Sequence, residues 1–223
     1  MSRSPVLSRA RSSSGKKPNR RVVWQAASLA LSYPEQTLLG HGPMLRQATA
    51  EAGTDVAARF ADLLNSWETT ELTALQTEYV DVFDLSRKRA LHLSYWTEGD
   101  TRRRGQVLAD FKSRYRRSGF LVKLYGELPD FLPLVLEYAA VADPLDGAEL
   151  LQEYRPSLEL LRLALMERSP RHGRVVEAIC ATLPGESPTD RRAVQAMARS
   201  GPPTESVGLA PYDPRLLPVV EGR

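Results

Sequence analysis

Between residues 22 and 183 the apolar positions recur three and four apart, the period of a helix packed along one face. Val22, Val23, Ala26, Leu29, Ala30 and Tyr33 form one stripe, which ends at Tyr33-Pro34 because a residue before proline is pushed out of the helical region. Gln25, Ser28 and Ser32 give that first helix a polar stripe. A short helix opens at Glu35 and stops near residues 40–42, and Pro43 opens another through Met44, Leu45 and Ala48 that ends at Gly53. Thr54 or Asp55 is placed to cap a helix carrying Val56, Phe60, Leu63, Leu64 and Trp67. Thr70 is placed to cap the next, with Leu72, Leu75, Tyr79, Val82 and Phe83 in line.

The second half continues the pattern. Asp100 is a cap for a helix holding Val107, Leu108, Phe111 and Tyr115 and closed by Gly119. Asp130 is a cap for one holding Leu132, Val135, Leu136 and Ala139, with Pro133 tolerated in its first turn. A helical pattern over about residues 146–168 contains Pro156, which predicts a kink or break. Val175, Val176, Ile179, Cys180 and Leu183 make a further stripe, and Ser187-Pro188 has the form of a helix start. Alternating strand patterns of useful length are absent. The expected fold is all-α: a single-domain bundle of about nine to ten helices over residues 21–200, with a disordered basic arm over 1–20 and a Pro-rich irregular tail over 201–223.

Charge changes this picture in one respect. The net charge is +3, but residues 1–21 carry seven Lys/Arg and no acid, while residues 86–117 carry ten basic and three acidic residues. The remainder is acidic, so the chain reads as an acidic body with a basic arm and one basic band. Within that band Tyr95, Trp96, Phe111 and Tyr115 interleave with the cations. Such a band could neutralise phosphates and stack bases, so a nucleic-acid-binding helical protein is the alternative reading. Against it, no helix-turn-helix or other binding module is present, and a solvated helix face against an acidic body explains the same residues.

Chemistry for catalysis is not apparent. There is no Gly-rich phosphate loop, no Gly-x-Ser-x-Gly and no His-Glu-x-x-His. His41, His92 and His172 are far apart in sequence. The single cysteine, Cys180, sits in an apolar run and reads as core; it forbids an intramolecular disulfide and points to a reducing compartment, the cytoplasm. No apolar run is long enough to span a membrane. Arg20-Arg21 precedes an apolar stretch as in a twin-arginine signal, but the polar stripe of that stretch fits an amphipathic helix better.

The stretch YVDVFDLSRKRALHLSYWTEGDTRRRGQVLADFKSRYRRSGF, residues 79–120, resembles the respiratory nitrate reductase assembly chaperones of the NarJ type (delta subunit), within the wider TorD/DmsD-like group of redox-enzyme maturation chaperones. The residues that carry the resemblance are Tyr79-Val80, Phe83-Asp84, Leu91, Leu93, Tyr95, Gly99-Asp100-Thr101-Arg102 and Gly105. ELPDFLPLVLEYAA (127–140) and LELLRLAL (158–165) followed by VVEAICATLPGESPTD add to them.

The resemblance implies an all-helical domain with no cofactor of its own. It implies a partner, the apo catalytic subunit of nitrate reductase, bound through its N-terminal segment before molybdenum cofactor and iron–sulfur cluster insertion and before membrane anchoring. It implies no nucleic acid and no membrane insertion, and leaves monomer or dimer open. The residues expected at the client-binding site are Tyr79, Phe83, Tyr95, Trp96, Arg87, Arg102 and Asp130. Leu91 and Leu93 are expected in the core, on a linker part of which is extended, since Leu91, Leu93 and Tyr95 alternate with His92 and Ser94. The wider group often carries Glu-Pro-x-Asp-His before the helix of the second block. Here Phe131 stands where that histidine would be, so neither its role nor the nucleotide binding suggested for some relatives is carried over.

Overall fold

The first helix is central: most of its residues are buried, with Arg20, Arg21, Val22, Gln25 and Leu29 on its more open side. α1 (Arg20–Ala30) packs against α3 (Gly42–Ala52), α8 (Leu132–Glu137) and α11 (Pro170–Ala181). Ser28, on the expected polar stripe, is buried and donates to the Pro133 carbonyl at 2.7 Å. A small hydroxyl is tolerated there because the bond removes most of its desolvation cost. Trp24, absent from the sequence stripe, is fully buried and donates from Nε1 to Thr182 Oγ1 at 2.9 Å. Asn19 caps the helix by accepting from the Arg21 amide.

The computed structural model describes residues 19–98, 102–120, 124 and 126–200. The expectations for the arm up to residue 18, the tail 201–223 and the Asp100 cap lie outside them. Among the described residues there are twelve α-helices and no strand. Besides those named, they are α2 (Gln36–Leu39), α4 (Thr54–Thr69), α5 (Leu72–Tyr79), α6 (Leu93–Glu98), α7 (Arg102–Arg117), α9 (Pro144–Glu153), α10 (Arg155–Arg168) and α12 (Arg191–Ser200). No helix of the described residues is long and apolar enough to cross a membrane. The expected all-α single bundle is what is observed, with one helix more than expected in the linker and one from the split before Pro156. That break falls at Tyr154, and Pro156 takes its place in the first turn of α10.

Three caps outside the linker region differ from expectation. Gly53, at φ 141°, precedes α4, so Thr54 and Asp55 lie inside the helix. Thr70 closes α4 while Glu71 precedes α5. Ser187 does not start a helix: its hydroxyl donates to Glu159 Oε1 at 2.7 Å, and Asp190 caps α12 by accepting from the Ala193 amide. Glu159 is fully buried and also meets Arg162 at 2.7 Å and Arg155 at 3.4 Å, which ties the loop before α12 to α10. Cys180 is fully buried, as expected, and burial pushes its thiol up in pKa.

Two helices end in a wider turn. α5 continues through a π turn, Val80–Asp84, closed by the Leu85 amide on the Val80 carbonyl at 3.0 Å. α8 continues through a second, Tyr138–Ala142. Against this second turn α9 approaches closely: a Cβ on Gly147 would lie 2.4 Å from Ala139 Cα, so only glycine fits.

Candidate functional site

The π turn after α5 places an aromatic row at the mouth of a cleft. Tyr79 and Phe83 lie four apart, and their rings meet at a tilt of 52° with centroids 4.8 Å apart. Tyr33 meets Tyr79 edge-on at 5.3 Å, and His172 meets Phe83 edge-on at 5.1 Å. Edge-to-face geometry suits the ring quadrupoles. The Tyr79 hydroxyl donates to the Leu31 carbonyl at 3.1 Å, which fixes the row to the end of α1. Burial, then the Asp84 and Glu127 carboxylates, push the Tyr79 phenol well above its usual range, so it stays a donor.

In front of this row is a cleft of about 420 Å³ lined by Tyr33, Tyr79, Phe83, Asp84, Ala90, Leu91, His92, Glu127 and Phe131. Its lining combines the apolar groups of Tyr79, Phe83, Leu91 and Phe131 with polar ones, among them the exposed carboxylates of Asp84 and Glu127. Among the described residues neither carboxylate has an ion-pair partner. Tyr33 is 43% exposed and Leu85, just beyond Asp84, is 75% exposed. An aromatic floor with a charged rim suits an amphipathic peptide segment.

One buried carboxylate holds the wall opposite the aromatic row. Asp130 is fully buried and accepts from the Ser94 amide at 3.1 Å, the Ser94 hydroxyl at 2.5 Å and His92 Nδ1 at 3.2 Å, with Arg104 Nη2 at 3.6 Å. Burial raises its pKa, but the His92 and Ser94 hydrogen bonds and the charges of His92 and Arg104 outweigh it, so the carboxyl sits below its ordinary value. Asp130 thus does not cap its own helix, whose N-cap is Phe131 without a side-chain bond. It serves the N-terminus of α6 from across the chain. Backbone bonds double the tie: Leu93 N–H to the Asp130 carbonyl at 3.0 Å, and Leu132 N–H to the Leu91 carbonyl at 2.7 Å. His92 and Phe131 pair in an isolated antiparallel bridge, their rings 5.5 Å apart.

The residues expected at the site separate into groups. Tyr79 (7% exposed) and Phe83 (4%) belong to the core and also line the cleft. Tyr95 is not in an extended stretch: Leu93 opens α6, because Asp130 satisfies its first free amides, and Tyr95 lies half-buried under the Arg104 guanidinium at 5.5 Å. Trp96 is half-buried and donates to the Ala90 carbonyl at 3.3 Å. Arg87 is exposed beside the cleft segment, and Asp130 acts on the cleft only through its wall. Of Arg102 the backbone opens α7; its side chain lies outside the described residues. Leu91 and Leu93 are core, as expected. No sequence pattern points to Tyr33, Glu127 or Phe131 as cleft residues. Tyr33 reaches the cleft because α1 stops at Ala30, three residues before the end of its stripe, and the chain turns there ahead of Pro34.

The basic band is partly turned inward. Arg89 donates to the Val82 and Asp81 carbonyls at the end of the π turn, and Arg114 pairs with Asp146 at 3.2 Å and Glu153 at 2.7 Å. Phe111 and Tyr115 are core, so the faces that base stacking would need are covered. Among the described residues no three His, Cys, Asp or Glu side chains are grouped to hold a metal.

The bundle is similar to a crystal structure of a protein described as a redox enzyme maturation protein from Archaeoglobus fulgidus, at TM-score 0.54 and 22% identity over 72% of this chain and 91% of that one. At that identity the likeness concerns the fold. The sequence goes further. Residues 46–170 match the family model of the nitrate reductase delta subunit, and the chain belongs to that family. It is 41% identical over 161 residues to the nitrate reductase-like protein NarX of Mycobacterium tuberculosis, covering 72% of this chain but only 24% of NarX. It is 30% identical to the probable nitrate reductase molybdenum cofactor assembly chaperone NarJ of Bacillus subtilis, covering 74% of this chain and 90% of that one. To the NarJ chaperone of Escherichia coli it is 31% identical over 65% of this chain and 62% of that one.

Proposed function

We propose that the protein is a cytoplasmic assembly chaperone, not an enzyme, that binds the apo catalytic subunit of a respiratory nitrate reductase. It holds the N-terminal segment of that subunit and keeps the subunit competent for molybdenum cofactor and iron–sulfur cluster insertion before docking to the membrane. The observation that supports this is the cleft: an aromatic floor backed by the core, fixed in shape by Asp130, with a rim that remains open. A chaperone of this kind needs no catalytic group. It needs a preformed apolar groove that lowers the ordering cost of a short client segment.

Tyr79 and Phe83 are too buried to test this cleanly, because truncating either would also open the core. Tyr33→Ala and Phe131→Ala probe the cleft from its open side. With a synthetic peptide of the client's N-terminus, calorimetry on the wild-type chain is expected to show saturable binding. Each variant should weaken it by roughly tenfold or more, the effect of removing an aromatic anchor, with an unchanged circular dichroism spectrum. Absence of binding by the folded chain to both the peptide and the full-length apo subunit would sink the proposal.

A further inference from the structure

The chain carries a segment whose chemistry complements its own cleft. Residues 1–18 contain Arg3, Arg9, Arg11, Lys16 and Lys17, no acidic residue, and one adjacent apolar pair, Val6-Leu7, set between the arginines. The cleft offers an aromatic floor and two rim carboxylates, Asp84 and Glu127, with no ion-pair partner among the described residues. From this we infer that the N-terminal arm of the protein occupies its own cleft when no client is present, with Val6-Leu7 over the Tyr79–Phe83 row and the flanking arginines against Asp84 and Glu127. The inference rests on the reading of the cleft as a peptide site.

Geometry permits it. The arm joins the fold at Asn19, the N-cap of α1, and Tyr33 lies just past the other end of the same helix. An 11-residue helix is roughly 17 Å long, so the cleft is on the order of 20 Å from the attachment point. The residues between Leu7 and Asn19 span up to about 36 Å when extended. The cleft is therefore within reach without stretching the arm. Charge favours it as well: in an acidic body, a free basic arm is drawn to unpaired carboxylates, and those beside an apolar floor also shelter its apolar pair. A tether of this length gives a local concentration on the order of 1 mM. A segment that binds in trans with a Kd of about 100 μM would then fill its own cleft about nine-tenths of the time, raising the apparent Kd of a competitor by roughly tenfold.

The arm would thus act as a tethered stand-in for the client: it covers the aromatic floor, and a client must displace it. The probe for this is a fluorescein-labelled synthetic peptide of residues 1–18, titrated by fluorescence anisotropy into full-length chains. One chain is wild type. The second carries Val6→Ser, Leu7→Ser, Arg9→Ser and Arg11→Ser, so its own arm no longer matches the cleft. The third adds Asp84→Lys and Glu127→Lys, both at exposed positions. The expected result is saturable binding to the second chain, about tenfold weaker binding to the wild type, and loss of most binding to the third. Equal binding to the first two chains, no binding to the second, or binding indifferent to the rim reversals would overturn the inference. A wild-type dimer that the arm substitutions dissociate in light scattering would assign the cleft to the arm of a second copy and overturn the intramolecular version. If the client's N-terminal peptide binds the first two chains with the same Kd, the chaperone reading stands and this inference falls.

Discussion

Acidification is expected to weaken this fold through His172. The side chain is 6% exposed, edge-on to Phe83, with Ser169 Oγ 2.8 Å from its Nδ1. Its neighbour Arg171 is paired with Glu78, and burial, then the Arg171 charge, push the imidazole pKa from its ordinary value of 6.5 to about 3. The native state therefore keeps His172 neutral, while the unfolded chain takes up a proton below about pH 6.5. With the folded pKa depressed, the contribution to stability is complete above the unfolded pKa. It erodes as pH falls and is gone once pH passes the folded value. The structure thus implies a loss of about 2 kcal/mol between about pH 7 and about pH 5 from this one group, reaching roughly 4 kcal/mol near pH 3.

Urea unfolding followed by circular dichroism across that range reads it directly. His172→Gln cannot take up the proton, and His172→Phe keeps a ring against Phe83; either should flatten the slope by about 2 kcal/mol whatever its stability at neutral pH. Wild-type and variant curves that run parallel between about pH 7 and about pH 5 would refute the reasoning.

Three further outcomes rest on the packing. Gly147→Ala forces a methyl into Ala139, 2.4 Å from its Cα, and should cost about 3 kcal/mol, seen as a Tm lower by roughly 10 °C in calorimetry. Asp130→Asn weakens the acceptor for Ser94, His92 and Arg104 and should cost about 2 kcal/mol, with faster hydrogen exchange at the amides of α6 than elsewhere in the bundle. Glu159→Gln leaves the buried Arg155 and the partly buried Arg162 without a counter-charge and should cost about 3 kcal/mol in urea titration; a loss under about 1 kcal/mol would mean that the cluster is hydrated.

Helix faces were legible because burial in a bundle enforces the helical period. The stripes through Phe60, Val135 and Val176 mark the core directly. The break before Pro156 was legible for an equally local reason, since proline suits a first turn and disrupts an interior one. The linker was not. Leu91, His92, Leu93, Ser94 and Tyr95 alternate, yet α6 begins at Leu93. Its start depends on the Asp130 carboxylate, 36 residues on from Ser94, and no local pattern carries that contact. The same holds for the cleft. Tyr79 and Phe83 stood out by their spacing, whereas Tyr33, Glu127 and Phe131 join them only through the turn before Pro34 and the His92–Phe131 bridge. Arg89 and Arg114 read as surface cations because the sequence shows a charge and not the carbonyl or carboxylate it faces.

The π turn at Val80–Asp84 makes the cleft sensitive to chain length as well as to residue type. An α-helical closure of the same span would need one residue fewer, and each residue added or removed rotates the downstream chain by about 100° about the helix axis. Phe83 faces the floor and Asp84 the rim because that extra residue is present. A one-residue deletion at the exposed side of the turn would leave every cleft side chain in the sequence and still turn Asp84 away from its place. Between relatives, a gap or an insertion in this short stretch therefore separates chains with different cleft rims even where their aromatic residues are the same.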